Sequence, residues 1–402
     1  MTRYLDIHVL QTVPPSNLNR DESGTPKSAV YGGVRRARVS SQSWKRATRR
    51  YFASALPASA LATRTLELTD ELTERLTALS VPAPLATEAA SATAAALRPK
   101  KSRGKAKNTD GDDGEDADGD SGDAALFIAN RHIDEIVDKL AAALTAPGTP
   151  KVRTIVTELN PVGIVGGPQP IEISLFGRMV ANVPDLRVDA ACQVAHALST
   201  HNVDVEFDYY TAVDDRKERR RASGAAMIGS VEFNAALLYR YATINIPRLE
   251  KNLGDGRDRA AAAARLFAEA FIRALPSGKQ NTFAGHTLPE VAILTVRDDQ
   301  PLNLVAAFEE AVTSDAGYLR GSLTRLAHHA ENLYRLYDTR PRHTAALYPP
   351  DLEDLPRVTS AFGTPTPLPG ALDTIEDLLA QAPAALVPQP VAGDLAVTEP
   401  AR

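Results

Sequence analysis

Only one cysteine, Cys192, and one tryptophan, Trp44, occur in 402 residues. A lone thiol excludes an internal disulfide and any metal site built from clustered cysteines. It shares helical spacing with Val188, Ala191, Ala195 and Leu198, which predicts a helix over 188–201 with the thiol on its core face. No run of about eighteen apolar residues is present, so no membrane-spanning helix is read from the sequence. The opening MTRYLDIHVLQTV alternates apolar and polar residues and is broken by Asp6 and His8, which predicts a strand rather than a secretory signal and leads us to expect a cytoplasmic location. The glycines of YGGVRRARVSS are not followed by Gly-Lys-Ser/Thr, so no Walker phosphate loop is formed. His196 and His201 stand five apart, which does not bring two metal ligands onto one helix face.

Acidic residues are missing from one long stretch. None lies between Glu22 and Glu67, although the whole chain carries a formal charge of -5. The same stretch holds Lys27, Arg35, Arg36, Arg38, Lys45, Arg46, Arg49, Arg50 and Arg64. Distribution matters more than the sum here, because a local positive field attracts phosphates even on an acidic protein.

Along the chain, Ser40 or Ser41 is placed to cap a helix that runs to about Leu56 and is stopped by Pro57. Trp44, Ala47, Tyr51 and Ala55 would form its core stripe. One or two helices are expected over 58–97, and helical periodicity resumes over 124–144. Between them, 98–123 has almost no apolar residue and cannot offset its ordering entropy, so a disordered charged insertion is expected. PVGIVGGPQPIEISLFGRMV reads as turn-rich before a short strand, VDVEFDYYTAV as a strand, and SVEFNAALLYRYATINI as a strand with Val231, Phe233, Ala235, Leu237, Tyr239 and Tyr241 on one parity. A helix over 259–274, a strand over 290–297 and two helices over 303–336 follow. The Pro-, Ala- and Thr-rich tail after Arg340 is expected to be loosely packed, with one helical piece near 373–381. Strands and helices mix without strict alternation, which favours an α+β sheet domain with insertions.

Two features could carry chemistry. Asp204, Glu206 and Asp208 share one parity of a strand and could hold magnesium, but a solvated strand face is the stronger reading because metal sites draw ligands from several elements. In the basic segment, arginines can fork onto phosphate oxygens, and a serine-capped helix start presents N–H groups to an anion. Such contacts grip a backbone and do not read bases.

The pattern IHVLQTVPPSNLNRD…YGGVRRARVSSQSWKRATRR resembles the CasC family, the repeated backbone subunit of the type I-E CRISPR surveillance complex Cascade. DAACQVAHALSTHNVDVEFDYYTAVDD, EFNAALLYRYATINI and GKQNTFAGHTLPEVAILTV extend the likeness in order as far as about Leu336. The resemblance implies a modified RRM, ferredoxin-like palm from 1–58 and 150–336, with a thumb hairpin around 203–245. It further implies a mostly helical fingers insertion over 59–149 and a C-terminal extension over 337–402. It implies a non-catalytic protein without cofactor. Several copies would stack on a guide RNA, which pairs with target DNA, beside other Cascade subunits and a recruited helicase-nuclease. Ser40, Gln42, Lys45, Arg46 and Arg49 would grip the RNA backbone, with Arg20 and Lys27 from the preceding loop and Lys279 of GKQNT as further contacts. Met179, Tyr209 and Tyr210 would wedge against bases where the RNA kinks, and Arg219, Arg220 and Arg221 lie near the thumb turn. Reversing Lys45 and Arg49 to Glu would then remove RNA without unfolding the chain. The alternative is a metal-dependent ribonuclease, as in related backbone subunits that cut RNA with a loop aspartate; Asp21 lies in the comparable loop.

Overall fold

The computed structural model describes residues 3–97, 125–147, 151–180, 183–212, 227–254, 256–352 and 355–381. The charged stretch 98–123, Arg219, Arg220 and Arg221, and the tail beyond Gln381 lie outside the described residues. Eleven strands are found among those described: β1 Tyr4–Ser16, β2 Ser28–Tyr31, β3 Val34–Val39, β4 Ala62–Thr65, β5 Leu126–Ala129, β6 Cys192–Val194, β7 Ala197–Ser199, β8 Glu206–Ala212, β9 Met227–Asn245, β10 Val291–Arg297 and β11 His343–Leu347.

β1 is apolar on one parity and mixed on the other, and both sides are buried: Leu5, Ile7 and Val9 on one face, Asp6, His8 and Leu10 on the other. A strand covered on both faces belongs in the middle of a sheet. It pairs antiparallel with β10 from Tyr4↔Arg297 and with β9 from Tyr4↔Asn245. The resulting order is β11-β10-β1-β9-β7-β3-β2, with β6 and β8 also on β9, while β4 and β5 pair separately. β9 has 19 residues and outruns β1. Its first part, from Met227 to Phe233, pairs only with β8, so a two-stranded ribbon leaves the sheet there.

Three main apolar cores follow from this frame. On one sheet face Leu5, Ile7 and Val9 pack with Trp44 and Phe52 of the helix Ser41–Ala55, Phe267 and Phe271 of the helix Arg257–Arg273, and Ile375 of the helix Leu368–Ala380. On the other, Leu10, Tyr239 and Ile293 pack under Leu323 and Leu326 of the helix Leu319–Tyr337. The insertion between β3 and β6 has a core of its own around Leu72, Leu76, Ala90, Ile133 and Ile136. Leu68, Leu72 and Leu76 line one face of the helix Leu68–Ala78 and are fully buried, each worth about 2 kcal/mol on leaving water. This lobe therefore has a hydrophobic reason to fold that is separate from the sheet.

Several expectations change. Residues 188–201 form no helix: β6 and β7 pair with β9 and bury Cys192, Ala197 and Ser199. Short apolar runs satisfy both periods, and an available strand decided the matter. The stretch PVGIVGGPQPIEISLFGRMV holds two short helices, Pro161–Gly166 and Ile171–Phe176, the second begun after Pro170 and ended at Gly177. Over 124–144 a strand, β5, precedes the helix Asn130–Thr145, and over 303–336 one helix, Leu319–Tyr337, follows a 3-10 turn. The extension after Arg340 is integral as far as Gln381, because β11 joins the sheet and Leu372, Ile375 and Leu379 are buried. In the helix Ser41–Ala55, Trp44 and Ala47 face the core as expected, but Tyr51 is half-buried and Ala55 is exposed; Thr48 and Phe52 complete the buried face.

Candidate nucleic-acid interface

The basic helix is fixed from both ends of its chemistry. Ser40 caps it, its Oγ accepting from Ser43 N at 3.3 Å, and Ser40 N donates to Asn19 Oδ1 at 2.8 Å. Ser41 N donates to His196 Nδ1 at 3.1 Å. Underneath, the buried guanidinium of Arg240 stacks 3.7 Å from the Trp44 ring and 4.5 Å from Phe271, and donates to Gln11 Oε1 at 2.6 Å and to Phe271 O. Burial without a carboxylate pushes this arginine down to about 9. A stacked cation of this kind pins the helix to β9.

The cations of the segment divide into two groups. Arg36 is fully buried and donates to Tyr31 O, Ser199 O, Phe308 O and Glu309 O at 2.9–3.2 Å. It serves the β2–β3 turn, where Gly32 and Gly33 take φ 60° and 78° and a Cβ on Gly32 would overlap Glu309 O at 1.6 Å. Arg49 donates through Nε to Glu172 Oε1 at 2.7 Å and through Nη2 to Ala62 O at 3.3 Å, and lies 4.6 Å from the Phe127 ring. Glu172 is almost wholly buried, and its other oxygen accepts from Ala62 N at 2.5 Å. Arg49 therefore joins the helix to the insertion, and reversing it to Glu would set two carboxylates against each other in a buried site. Lys45 is half-buried and Arg46 is exposed, and among the described residues neither is held by a hydrogen bond or an ion pair that the structure records. Arg50 is exposed and donates to Ser277 Oγ at 2.7 Å, and Gln42 Oε1 accepts from Ser41 Oγ at 3.3 Å.

Two further elements, the turn 276–280 and the root of the β8–β9 ribbon, meet the loop 17–27. Asp21 orders it: its Oδ1 accepts from Ser23 N, Ser23 Oγ and Thr25 N at 2.7–3.0 Å, and the Ser23 hydroxyl leads the effects that hold this carboxyl below its ordinary range. Arg20 is exposed and bridges to Pro26, while Lys27 is half-buried and its backbone N donates to Asn19 O. The turn 276–280 presses on the loop so closely that a Cβ on Gly278 would come 2.3 Å from Leu18 O. Lys279 follows in the left-handed region at φ 50°. At the ribbon's root, Asn17 Nδ2 donates to Glu232 O at 2.9 Å, and the Phe233 and Phe283 rings meet at a tilt, 5.6 Å apart. Arg20, Lys27, Ser40, Gln42, Lys45, Arg46 and Lys279 thus lie on three segments, the loop, the capped helix and the turn, tied to one another.

The expected wedge residues are more dispersed. Met179 is 82% exposed and follows Arg178, which bridges to Val188. Tyr209 is 67% exposed and Tyr210 40%, but as neighbours on β8 they point to opposite faces. Tyr210 lies across Gly229, where a Cβ would meet its ring at 2.6 Å. The side chain that shares a face with Tyr209 is Phe207, 69% exposed, which was not among the expected wedge residues although strand parity would have found it. Glu206 and Asp208 lie on β8 but Asp204 precedes it, and among the described residues no group of three or more His, Cys, Asp or Glu could hold a metal ion. No helix among the described residues is long and apolar enough to cross a membrane.

Comparison with known proteins places this architecture. A chain of a "CRISPR RNA-guided surveillance complex, pre-nicking" is 32% identical with a TM-score of 0.75, over 94% of this chain and 100% of that one. A chain of a "CRISPR RNA-guided surveillance complex" is 28% identical with a TM-score of 0.66, over 93% of this chain and 99% of that one. No curated protein matches. The family model described as CT1975-like protein matches residues 5–363, which takes in the sheet and the insertion lobe. The chain belongs to the CT1975-like protein family.

Proposed function

We propose that this chain is a non-catalytic RNA-binding backbone subunit of a CRISPR surveillance complex of the type I-E, CasC kind, acting in the cytoplasm. The observation that carries this reading is the convergence of Arg20, Lys27, Lys45, Arg46 and Lys279 on linked segments, while Arg49 of the same helix is held inward. Cations placed this way suit the phosphates of an extended strand, and leave base reading to pairing between the guide and target DNA. On this reading the sheet is the modified RRM palm, the insertion lobe the fingers, and the β8–β9 ribbon the thumb that reaches a neighbouring copy. Met179 and the Phe207/Tyr209 face are the apolar groups that meet bases at each kink. The role of Asp21 as the hub of its loop supports scaffold over nuclease, because its carboxylate is already engaged by three donors. Co-expression with the other complex subunits and a CRISPR array, followed by sequencing of the co-purified RNA, tests the reading. Discrete guides with constant ends, intact in magnesium, are expected; RNA cut at regular intervals would point to the ribonuclease alternative, and absence of RNA would refute both.

A further inference from the structure

Among the described residues, the most exposed large apolar side chain stands next to one of the most enclosed cations: Met179 is 82% exposed and Arg178 is 3% exposed. Arg178 Nε donates to Leu186 O at 2.6 Å, Nη1 to Gln169 Oε1 at 3.1 Å and to Phe127 O at 3.4 Å, and Nη2 to Val165 O at 3.1 Å. No carboxylate among the described residues pairs with it. A buried guanidinium held only by neutral oxygens is costly, and an apolar side chain would fill the same space more cheaply. What the planar fork adds is reach, because one side chain ties together β5, the end of the helix Pro161–Gly166, Gln169 and the turn at Leu186.

The backbone of the same residue is equally committed. Arg178 N donates to Val188 O and Val188 N to Arg178 O, both at 2.9 Å. Gly177 before it takes φ 78°, and a Cβ there would lie 2.8 Å from Val188 O. The chain therefore has little freedom on the N-terminal side of Met179. Val165 and Leu186 belong to the core of the insertion lobe.

We propose that Arg178 is a positioning residue for Met179: it hangs the Met179 turn from carbonyl oxygens of the insertion lobe, so that the lobe sets where the thioether stands against an RNA base. The inference rests on the RNA-backbone reading above, in which Met179 meets a base. Movement of the lobe would then be felt at the kinked nucleotide.

The test uses the full chain at RNA saturation, on guide-length oligonucleotides carrying 2-aminopurine at successive single positions. Its fluorescence rises several-fold when the base is unstacked. Wild type is expected to give a periodic rise and M179A to flatten it. R178K keeps the charge but loses the fork, and Q169A removes one bond of the set. Both are expected to weaken the periodic rise, R178K nearly as far as M179A, with thermal melts that remain cooperative. Wild-type periodicity in R178K and Q169A together with a flat M179A would overturn the positioning role and leave the RNA-backbone reading standing. Wild-type periodicity in M179A would instead refute the role given to Met179, and the proposal with it. Should R178K fail to fold, Q169A decides between the same outcomes.

Discussion

Arg46 and Arg49 stand one turn apart on the helix Ser41–Ala55 and have opposite destinations. Arg49 meets Glu172 at 2.7 Å and is stacked on Phe127, whereas no acid within the described residues engages Arg46. Charge density in a sequence counts both alike. What separates them is whether another segment brings a carboxylate to the spot, and Glu172 comes from 123 residues further along the chain. The basic segment is thus partly a set of internal fastenings, with Arg36 and Arg49 as its anchors, and partly an outward surface.

The largest effect expected from breaking this contrast is on the inward member. Arg49→Met should cost on the order of 3 kcal/mol of stability, since it leaves the buried Glu172 carboxylate with Ala62 N alone, and R49M/E172L should recover most of the loss. Urea denaturation checks both; an unchanged midpoint in R49M would place Arg49 with the surface group. Lys45→Ala and Arg46→Ala should change stability by less than about 0.5 kcal/mol. Each should weaken RNA binding by about 1.5–3 kcal/mol, the range for a charge-assisted hydrogen bond. The slope of log affinity against log salt should also fall by about 0.7 for each phosphate that the variant no longer neutralises. Filter binding over a salt series measures this, and a slope unaltered in the double variant would remove the helix from the interface.

A second pair sharpens the same lesson on the ribbon. Tyr209→Ala or Phe207→Ala should lose about 1–3 kcal/mol of RNA affinity through one stacked base. Tyr210→Ala should act instead on the ribbon, because its ring covers Gly229. Equal RNA losses in Tyr209→Ala and Tyr210→Ala would mean that the two faces are not distinct in the complex.

These contrasts also mark what could be read in advance. The helix after Ser40 was legible because a serine cap, a stop at Pro57 and the Trp44 spacing are local signals, and β9 because its alternation runs for many residues. The strands β6 and β7 were not, since Val188, Ala191, Cys192, Ala195 and Leu198 fit a helix and only β9 could overrule it. The separation of Tyr209 from Tyr210 was available from strand parity alone. The diversion of Arg36 and Arg49 into the interior was not, because carbonyls at Phe308 and Glu309 and the carboxylate of Glu172 are brought to them only by the fold.

A net effect smaller than either of its parts comes from the sheet face opposite the basic helix, where two buried groups oppose each other. Burial pushes Asp6 up to about 6, although Leu302 N and Tyr241 OH donate to it and Arg297 lies 4.0 Å away. Burial pushes His8 down to about 3, with its Nδ1 2.9 Å from Tyr239 OH. A raised carboxyl contributes stability that is fully present below its ordinary value and lost as pH rises through about 6. A lowered imidazole contributes stability present above its ordinary value of 6.5 and lost as pH falls toward 3. Between pH 6.5 and 4 the two run in opposite directions on acidification. His8 is displaced further, and burial lowers His132 as well, to about 4, so the protein should lose stability over this window. His8→Asn can keep a hydrogen-bond partner for Tyr239 OH without titrating. Its midpoint in urea should fall less on acidification than that of wild type, because the Asp6 contribution is then opposed by His132 with less help; parallel pH profiles for the two proteins would show that His8 is not among the groups that set the slope.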